Sequence, residues 1–504
     1  MPELSDNQFD IIIAGGGFAG SITALILNNL NFKVCLIEKG RHPRFAIGES
    51  STPVADLLLR EIASKYNLPW LRDFSRYGTW QASHPKVVCG LKRGFSFFKH
   101  YPGQNFATDA NHTNELLVAA SVNDRQSDTN WLRADFDAFL VDQVKEAGIS
   151  YVDLAEIFSA EWNDKWKIGV KRPDEEISIQ ARFIIDATGS GALSGRLFGT
   201  ESSAEGFLTN SFAVFSHFDN VPRWTGKLCR DGISTGDFPY DPDHSALHQV
   251  LDEGWMWMLR FNDRRTSLGF VLDLCKSDYA GLSAEQIWKD TLKRYPGLGE
   301  ILSDISLSAV PGKMIRSERL QRRLDKCYGA GWAALPHTVG FVDPLFSSGI
   351  AHTLSGIEKL VNIIQANWND NHSLYAGLKE YENAVFEELK LIDMLVAGCY
   401  KTMDCFGLFN AWSMLYFAAT IAHEQNLMKK EVHGYFLCAD NHDVREMVQT
   451  SYQELLETIN DRMASEEGIR RFTENIKTRI EPFNTANLLD PSLKNMYRHT
   501  AAIL

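Results

Sequence analysis

Apolar positions in the first part of the chain come in short unbroken runs: residues 9–14 (FDIIIA), 33–38 (KVCLIE) and 181–186 (ARFIID). Runs this short, rich in Ile and Phe and closed by glycine or an acid, predict buried strands of a parallel sheet. Residues 18–30 between the first two are compatible with a helix, giving strand, helix, strand. Residues 134–147 carry apolar positions at helical spacing, so Arg133 stands just ahead of an amphipathic helix. From 200 to 325 the pattern is strand-rich, and Trp255 and Trp257 in GWMWMLR lie at i, i+2 on one strand face. After about 375 it turns helical, as in ENAVFEELKLIDMLVAGCY, whose apolar residues fall three and four apart.

Residues 340–357, GFVDPLFSSGIAHTLSGI, fit none of these rhythms. One formal charge, Asp343, occurs in eighteen residues, and a Ser-Ser-Gly turn leads into an apolar helix. Successive backbone N–H groups at Ser348, Gly349 and Ile350, aimed out of a turn at a helix start, form an anion-binding nest. Residues 405–422, CFGLFNAWSMLYFAATIA, are also uncharged and stand at the lower edge of a membrane span. Their Asn, Ser and Gly favour a buried or substrate-lining helix instead.

Composition excludes several classes. The chain has 504 residues, 44% apolar and 23% charged, enough for two or three ordinary globular domains. Its 51 basic and 64 acidic residues give −13, which argues against a nucleic-acid surface. The eight cysteines are scattered without a C-x-x-C pair, so neither a metal site nor a thiol redox motif is spelled out. The opening residues lack a basic stretch followed by a long apolar run, and a reduced, cytoplasmic setting is expected.

The strongest chemical signal is Gly15-x-Gly17-x-x-Gly20, placed after the first strand and at the start of the helix, with Glu38 closing the second strand. Gly15 permits a tight turn, Gly17 lets the backbone approach a pyrophosphate, and Gly20 lets helix and strand pack closely. Phe18 and Ala19 open a helix whose free N–H groups suit phosphates, and Glu38, followed by Lys39, accepts from a ribose diol. Asp186-Ala-Thr-Gly189 is not a second fingerprint, because no strand ending in an acid follows at the right distance.

The fingerprint, Arg133 before its helix and the D-A-T-G strand together resemble the flavoprotein monooxygenase superfamily that includes p-hydroxybenzoate hydroxylase. The resemblance implies FAD. Residues 38–53, EKGRHPRFAIGESSTP, are similar to a narrower group, the flavin-dependent halogenases, and place Gly48, Glu49 and Ser50 along the flavin. Ser51, Thr52 and Pro53 are also good helix-starting residues, so a plain cap fits the same stretch. GFVDPLFSSGI closely resembles a halogenase segment whose helix faces the isoalloxazine ring. It implies Asp343, Gly349 and Ile350 at the flavin and Ser348 and Gly349 at a halide, with the plain superfamily helix cap as the rival reading.

Within GLKRGFSFFKH, Lys92, Gly94 and Phe97 match the family's K-x-G-x-x-F, with Lys86 and Lys99 as competitors and a solvent-facing edge lysine as the bland alternative. In the family, reduced FAD and dioxygen give a C4a-hydroperoxide, halide attacks it, and hypohalous acid travels to that lysine. Three departures matter. The family's W-x-W-x-I-P keeps only Trp255 and Trp257; Pro336 and His337 replace a Gly-Asp; and Phe346 stands where tryptophan halogenases tend to carry a glutamate. The last favours phenolic or pyrrolic acceptors over free tryptophan.

The expected fold is α/β: a Rossmann-like, GR2-type FAD-binding domain from residues 1–95, 130–200 and 325–375, a substrate-binding sheet from 96–129 and 201–324, and a helical C-terminal cap from 376–504. The expected activity is halogenation of an electron-rich acceptor, lined by Trp255, Trp257 and Phe346, with chloride or bromide. A separate NAD(P)H-dependent flavin reductase supplies FADH2, and the acceptor is a small molecule or carrier-tethered. The alternative is a flavin monooxygenase that hydroxylates directly.

Overall fold

A computed structural model describes residues 7–276, 278–429, 434–460 and 465–502; residues 1–6, part of the stretch read for a leader, lie outside these. The three apolar runs are neighbours in one sheet. Gln8–Ala14 pairs in parallel with Val34–Ile37 on one side and Glu176–Asp186 on the other, so that Ile12 faces Cys35 and Ile184. Ser150–Val152 and Trp332–Ala334 extend the sheet in parallel. Helix Phe18–Asn29, buried from Phe18 to Leu27, packs on this sheet, and Val34–Ile37 is buried at every residue, so both faces are covered and the strands carry no alternation.

A second, nine-stranded sheet runs in the order Ser306–Leu307, Ser211–Asp219, Thr266–Asp273, Gly254–Arg260, Ala246–Val250, Gly94–Lys99, Glu115–Ala119 and Met496–Tyr497, with Ile315–Arg319 also on Ser211–Asp219. It differs from the expected ranges at both ends. Its strand Gly94–Lys99 starts before residue 96, and Met496–Tyr497 comes from the region read as helical, pairing with Leu117 and Val118. Alternation along Gly254–Arg260 sends Trp255 and Trp257 to the core shared with the first sheet, and Met256 and Met258 to a separate core on the opposite face.

Between the sheets lies a two-stranded ribbon, Cys89–Lys92 against Asp128–Trp131, which sets Lys92 opposite Asp128. Helices Ser348–Asn367, Asn371–Thr402, Phe406–Met428, His442–Asn460 and Glu466–Ile480 close the C-terminal side. The uncharged stretch forms most of Phe406–Met428 and is buried around its circumference. No helix among the described residues is long and apolar enough to cross a membrane.

Candidate active site

A cavity of about 1110 Å³ opens where the strand ends, the fingerprint turn and the Ser348–Asn367 helix converge. It exceeds the roughly 300–1,000 Å³ usual for small-molecule pockets. Gly15, Gly17, Phe18, Ala19, Glu38, Lys39, Ser50, Arg133, Trp255, Trp257, Asp343, Ser348, Gly349 and Ile350 all line it. Gly20, Lys92 and Phe346 do not.

The fingerprint glycines differ in what they permit. Gly15 has φ +106°, and a Cβ there would lie 2.5 Å from Ala187 O; one at Gly20 would lie 1.9 Å from Gly15 O. At Gly17 a Cβ would meet the guanidinium ends of Arg133 and Arg44, at 3.4 and 3.6 Å, and Asp137 Oδ2 at 3.6 Å, all ordinary contact distances. Gly15 and Gly20 therefore make the turn possible, whereas Gly17 presents backbone to the cavity. Glu38 accepts from Gly16 N at 2.7 Å and Gly40 N at 2.7 Å, and Arg44 Nη2 is 3.3 Å away. Burial raises this carboxyl, but Arg44 and the two N–H groups outweigh burial and hold it below its ordinary value.

Arg133 is the first residue of its helix rather than a residue ahead of it. It pairs with Asp137 at 2.8 Å and donates to the carbonyls of Ile47 and Gly48, which pins the Gly-Glu-Ser loop to the cavity wall. Glu49 in that loop accepts from His217 Nε2 at 2.8 Å, joining the loop to the second sheet. Ser50 Oγ is buried beside the cavity without a hydrogen-bond partner among the described residues. Thr52 is the N-cap of Pro53–Lys65 but makes no side-chain cap bond, and Ser51 Oγ instead accepts from Thr129 N.

At the opposite wall, Ser347 takes φ +52° and Ser348 begins the helix, so its first N–H groups have no helical partner. A Cβ on Gly349 would meet nothing within 4 Å, leaving the backbone there open to close approach. Asp343 is spent on the protein: it accepts from Ser211 Oγ at 2.8 Å, Tyr400 OH at 2.8 Å and Leu345 N at 3.1 Å, which holds the turn in shape. Trp257 lies across Gly269 of the neighbouring strand, where a Cβ would come within 2.3 Å of its ring. His337 also lines the cavity, its Nε2 3.1 Å from Ala187 O.

Lys92 is wholly buried, not a solvent-facing edge lysine. Its Nζ donates to Ser51 O and stands 4.2 Å over the Phe95 ring. Phe95 packs on His248, a cavity-lining residue, so one aromatic layer separates the lysine from the cavity. Burial pushes the ammonium down to about 8, a fall limited by Asp128 and Asp56. Phe346 lies in the same aromatic group, stacked on Tyr416 at 4.1 Å, with Phe417 at 6.3 Å and Tyr416 at 6.4 Å from Phe95. Lys99 is engaged by Asp252 at 2.5 Å, and Lys86 is exposed. The sequence reading missed His248, Arg44 and the two aspartates; a lone acid inside the apolar run PVADLLL was the available signal for Asp56.

Comparison with known proteins agrees with this geometry. Solved structures of the halogenase PltM match with a TM-score of 0.87; the one holding phloroglucinol and FAD is 23% identical, over 98% of this chain and all of that one. Among curated relatives, the monodechloroaminopyrrolnitrin halogenase PrnC of Pseudomonas fluorescens is 29% identical over 459 residues, 87% of this chain and 76% of the relative. The tetracycline 7-halogenase of Kitasatospora aureofaciens is 23% identical over 432 residues, 82% and 74% of the two chains. The tryptophan halogenase family model matches residues 10–64 and 130–435. That match takes in both cavity walls and the helices from Ser348 to Met428, and the chain belongs to the tryptophan halogenase family of flavin-dependent halogenases.

Proposed function

We propose that this chain halogenates an electron-rich aromatic acceptor, phenolic or pyrrolic rather than free tryptophan, using FADH2 delivered by a separate NAD(P)H-dependent reductase in the cytoplasm. The residues fit FAD. The Gly15–Gly20 turn and the start of Phe18–Asn29 offer N–H groups to its pyrophosphate, Arg44 and Arg133 offer cations, Glu38 offers a ribose acceptor, and the Ser50 hydroxyl has no partner among the described residues. Reduced FAD, when bound, supplies the electrons with which dioxygen oxidises a halide to hypohalous acid.

The chain's own part is to hold, shield and deliver. The N–H groups of Ser348, Gly349 and Ile350 hold a halide, chloride or bromide, at the open backbone of Gly349. Trp255 and Trp257 keep water and a nicotinamide away from that wall of the cavity. Lys92 donates a hydrogen bond to hypohalous acid and sets its halogen against the acceptor, among Phe95, Phe346 and Tyr416. The free or carrier-tethered acceptor enters on this aromatic side.

The observation that carries the reading is the buried Lys92 behind an aromatic layer. Direct hydroxylation has no use for an ammonium apart from the flavin cavity, whereas a diffusing electrophile needs one to stop at. Incubation with a flavin reductase, NADH, bromide and a panel of phenols, read by mass spectrometry, tests it. Brominated product that vanishes in Lys92→Ala supports the reading; hydroxylated product insensitive to halide overturns it.

A further inference from the structure

Three histidines line the cavity, and among the described residues only His352 is paired with a carboxylate. His248 and His337 face carbonyls instead, Ser96 O at 3.3 Å and Ala187 O at 3.1 Å. Burial presses these two down, to about 3 and about 4, so both are neutral near pH 7. His352 bonds through Nε2 to Glu388 Oε2 at 2.9 Å, and both side chains are buried, at 5% exposure or less. Burial raises Glu388, but Lys359 and His352 outweigh it and hold the carboxyl at about 2. A carboxylate has only lone pairs to offer, so Nε2 carries a hydrogen and Nδ1 is the nitrogen left to take a second. No hydrogen bond among the described residues reaches Nδ1.

His352 follows Ser348 by one helical turn, about 6 Å along the axis, and a helical side chain leans toward the N-terminus, here the turn at Ser347. Few charges surround it. Lys359 on the same helix and the Phe436 N–H share the other oxygen of Glu388, so that carboxylate is already neutralised. Phe436 otherwise brings only its ring. His337 approaches from Pro336–Val339, with Arg322 and Arg133 beyond it, and Asp343 on the turn is engaged by Ser211, Tyr400 and Leu345 N. An imidazolium at His352 thus adds a positive charge that its own wall leaves unbalanced. A halide at Ser348–Ile350 supplies the missing negative one.

We propose that His352 is a catalytic residue that takes up a proton together with the halide and gives that proton to oxygen as hypohalous acid forms, with Glu388 as its positioning residue. The inference rests on the proposed halogenation and on a halide held at Ser348–Ile350. The overall balance demands a proton: one FADH2, one dioxygen, one halide and one proton give FAD, hypohalous acid and water. Dioxygen accepts two electrons from the reduced flavin and two from the halide, and the flavin supplies only two of the three hydrogens in the products. His352 supplies the third. Its Nδ1–H bond breaks, the electron pair stays on nitrogen, and the proton forms an O–H bond on an oxygen that came from dioxygen. A solvent proton then reloads Nδ1 as the next halide arrives, so the wall is charged only when its counter-ion is present.

The test uses the whole chain without FAD. Bromide binding is read from 81Br line broadening, the site at the turn being identified by its loss in Gly349→Val, and His352 is the 15N-histidine signal absent from His352→Gln. Bound bromide should raise the His352 midpoint by at least one pH unit, and the bromide Kd should rise about tenfold per pH unit above the bromide-free midpoint. His352→Gln should bind bromide without that slope, and with FADH2 supplied its halogenated product should fall on the order of 10²-fold. Glu388→Gln should lower the His352 midpoint. A midpoint that bound bromide leaves unmoved overturns the proposal. Where His352→Gln fails to fold, proton uptake by the native chain on adding bromide decides, followed with an indicator dye from about pH 5 to pH 9, and no uptake sinks the idea. A chain that binds no bromide refutes the halide reading of the turn itself, and the pairing of proton with halide falls with it.

Discussion

The nucleotide cradle, at the strand ends of the first sheet, and the lysine chamber, on the separate two-stranded ribbon, treat charge in opposite ways. At the cradle, Glu38, Arg44 and Arg133 border an open cavity, and the Arg44 side chain remains 32% exposed. Backbone N–H groups and guanidinium groups balance each carboxylate there. In the chamber, Lys92, Asp56 and Asp128 are buried, with Lys92 against the Phe95 ring and no guanidinium or backbone N–H reaching Asp56 Oδ1 or Asp128 Oδ2 among the described residues. A site that must admit and release a charged dinucleotide keeps its ions near water. The chamber, proposed above to receive a reactive electrophile, keeps its ions few and dry.

The sharpest way to break this contrast is to empty the chamber. Lys92→Ala should lower halogenated product on the order of 10²–10⁴-fold while FAD stays bound, as mass spectrometry and flavin absorbance would record. Equal loss from Lys99→Ala would erase the distinction between the two lysines.

At the cradle the glycines give the next largest effects, and they are unequal. Gly20→Val drives a side chain into Gly15 O and should abolish flavin binding, measured by fluorescence quenching. Gly17→Ala meets only side-chain ends at ordinary contact distance, the Arg133 and Arg44 guanidinium groups and the Asp137 carboxylate, so the chain should fold and bind FAD about tenfold more weakly, a loss of about 1.4 kcal/mol. Equivalent behaviour of the two variants would contradict the division between turn geometry and ligand approach.

Gly269→Ala probes the wall between the regions. Its new methyl displaces the Trp257 ring, and the overpacking should cost about 1–3 kcal/mol in denaturant unfolding, with FAD affinity reduced through the cavity face of Trp257.

The mildest effect is one of slope. Burial, with Asp128 adding to it and the Ala502 N–H opposing, raises Glu424 to about 8. The folded chain therefore holds a proton that the unfolded chain releases, and stability falls as pH rises from about 5 to 8. Glu424→Gln should flatten that fall in melting temperature; a slope identical to the native one would show Glu424 ionised in the fold.

The cradle was legible because its parts lie together. Strand, three glycines, helix and acid occupy residues 9–38, and each follows from local geometry. Ser348–Ile350 was legible for the same reason, as a turn against a helix start. The chamber was not. Lys92 stood out by its neighbours Gly94 and Phe97, but the register of a ribbon between distant strands, which nothing in either strand fixes alone, brings Asp128 to it. Phe346 was placed in the right segment, yet its partner Tyr416 comes from a helix that reads only as uncharged and apolar. Thr52 and Ser51 show a subtler failure: both suit a cap, and tertiary contact with Thr129 took the Ser51 hydroxyl for another purpose.

The strand Met496–Tyr497 has a bearing on how the molecule is made. It covers the edge of Glu115–Ala119, whose other neighbour, Gly94–Lys99, emerges before it. On the ribosome, at about 5–20 residues per second, roughly 20–75 s separate residue 119 from residue 497. Throughout that interval the sheet carries an uncovered apolar edge able to pair with another nascent chain. Extra chaperone during synthesis, which guards that edge until residue 497 emerges, should therefore raise soluble protein in a heterologous host.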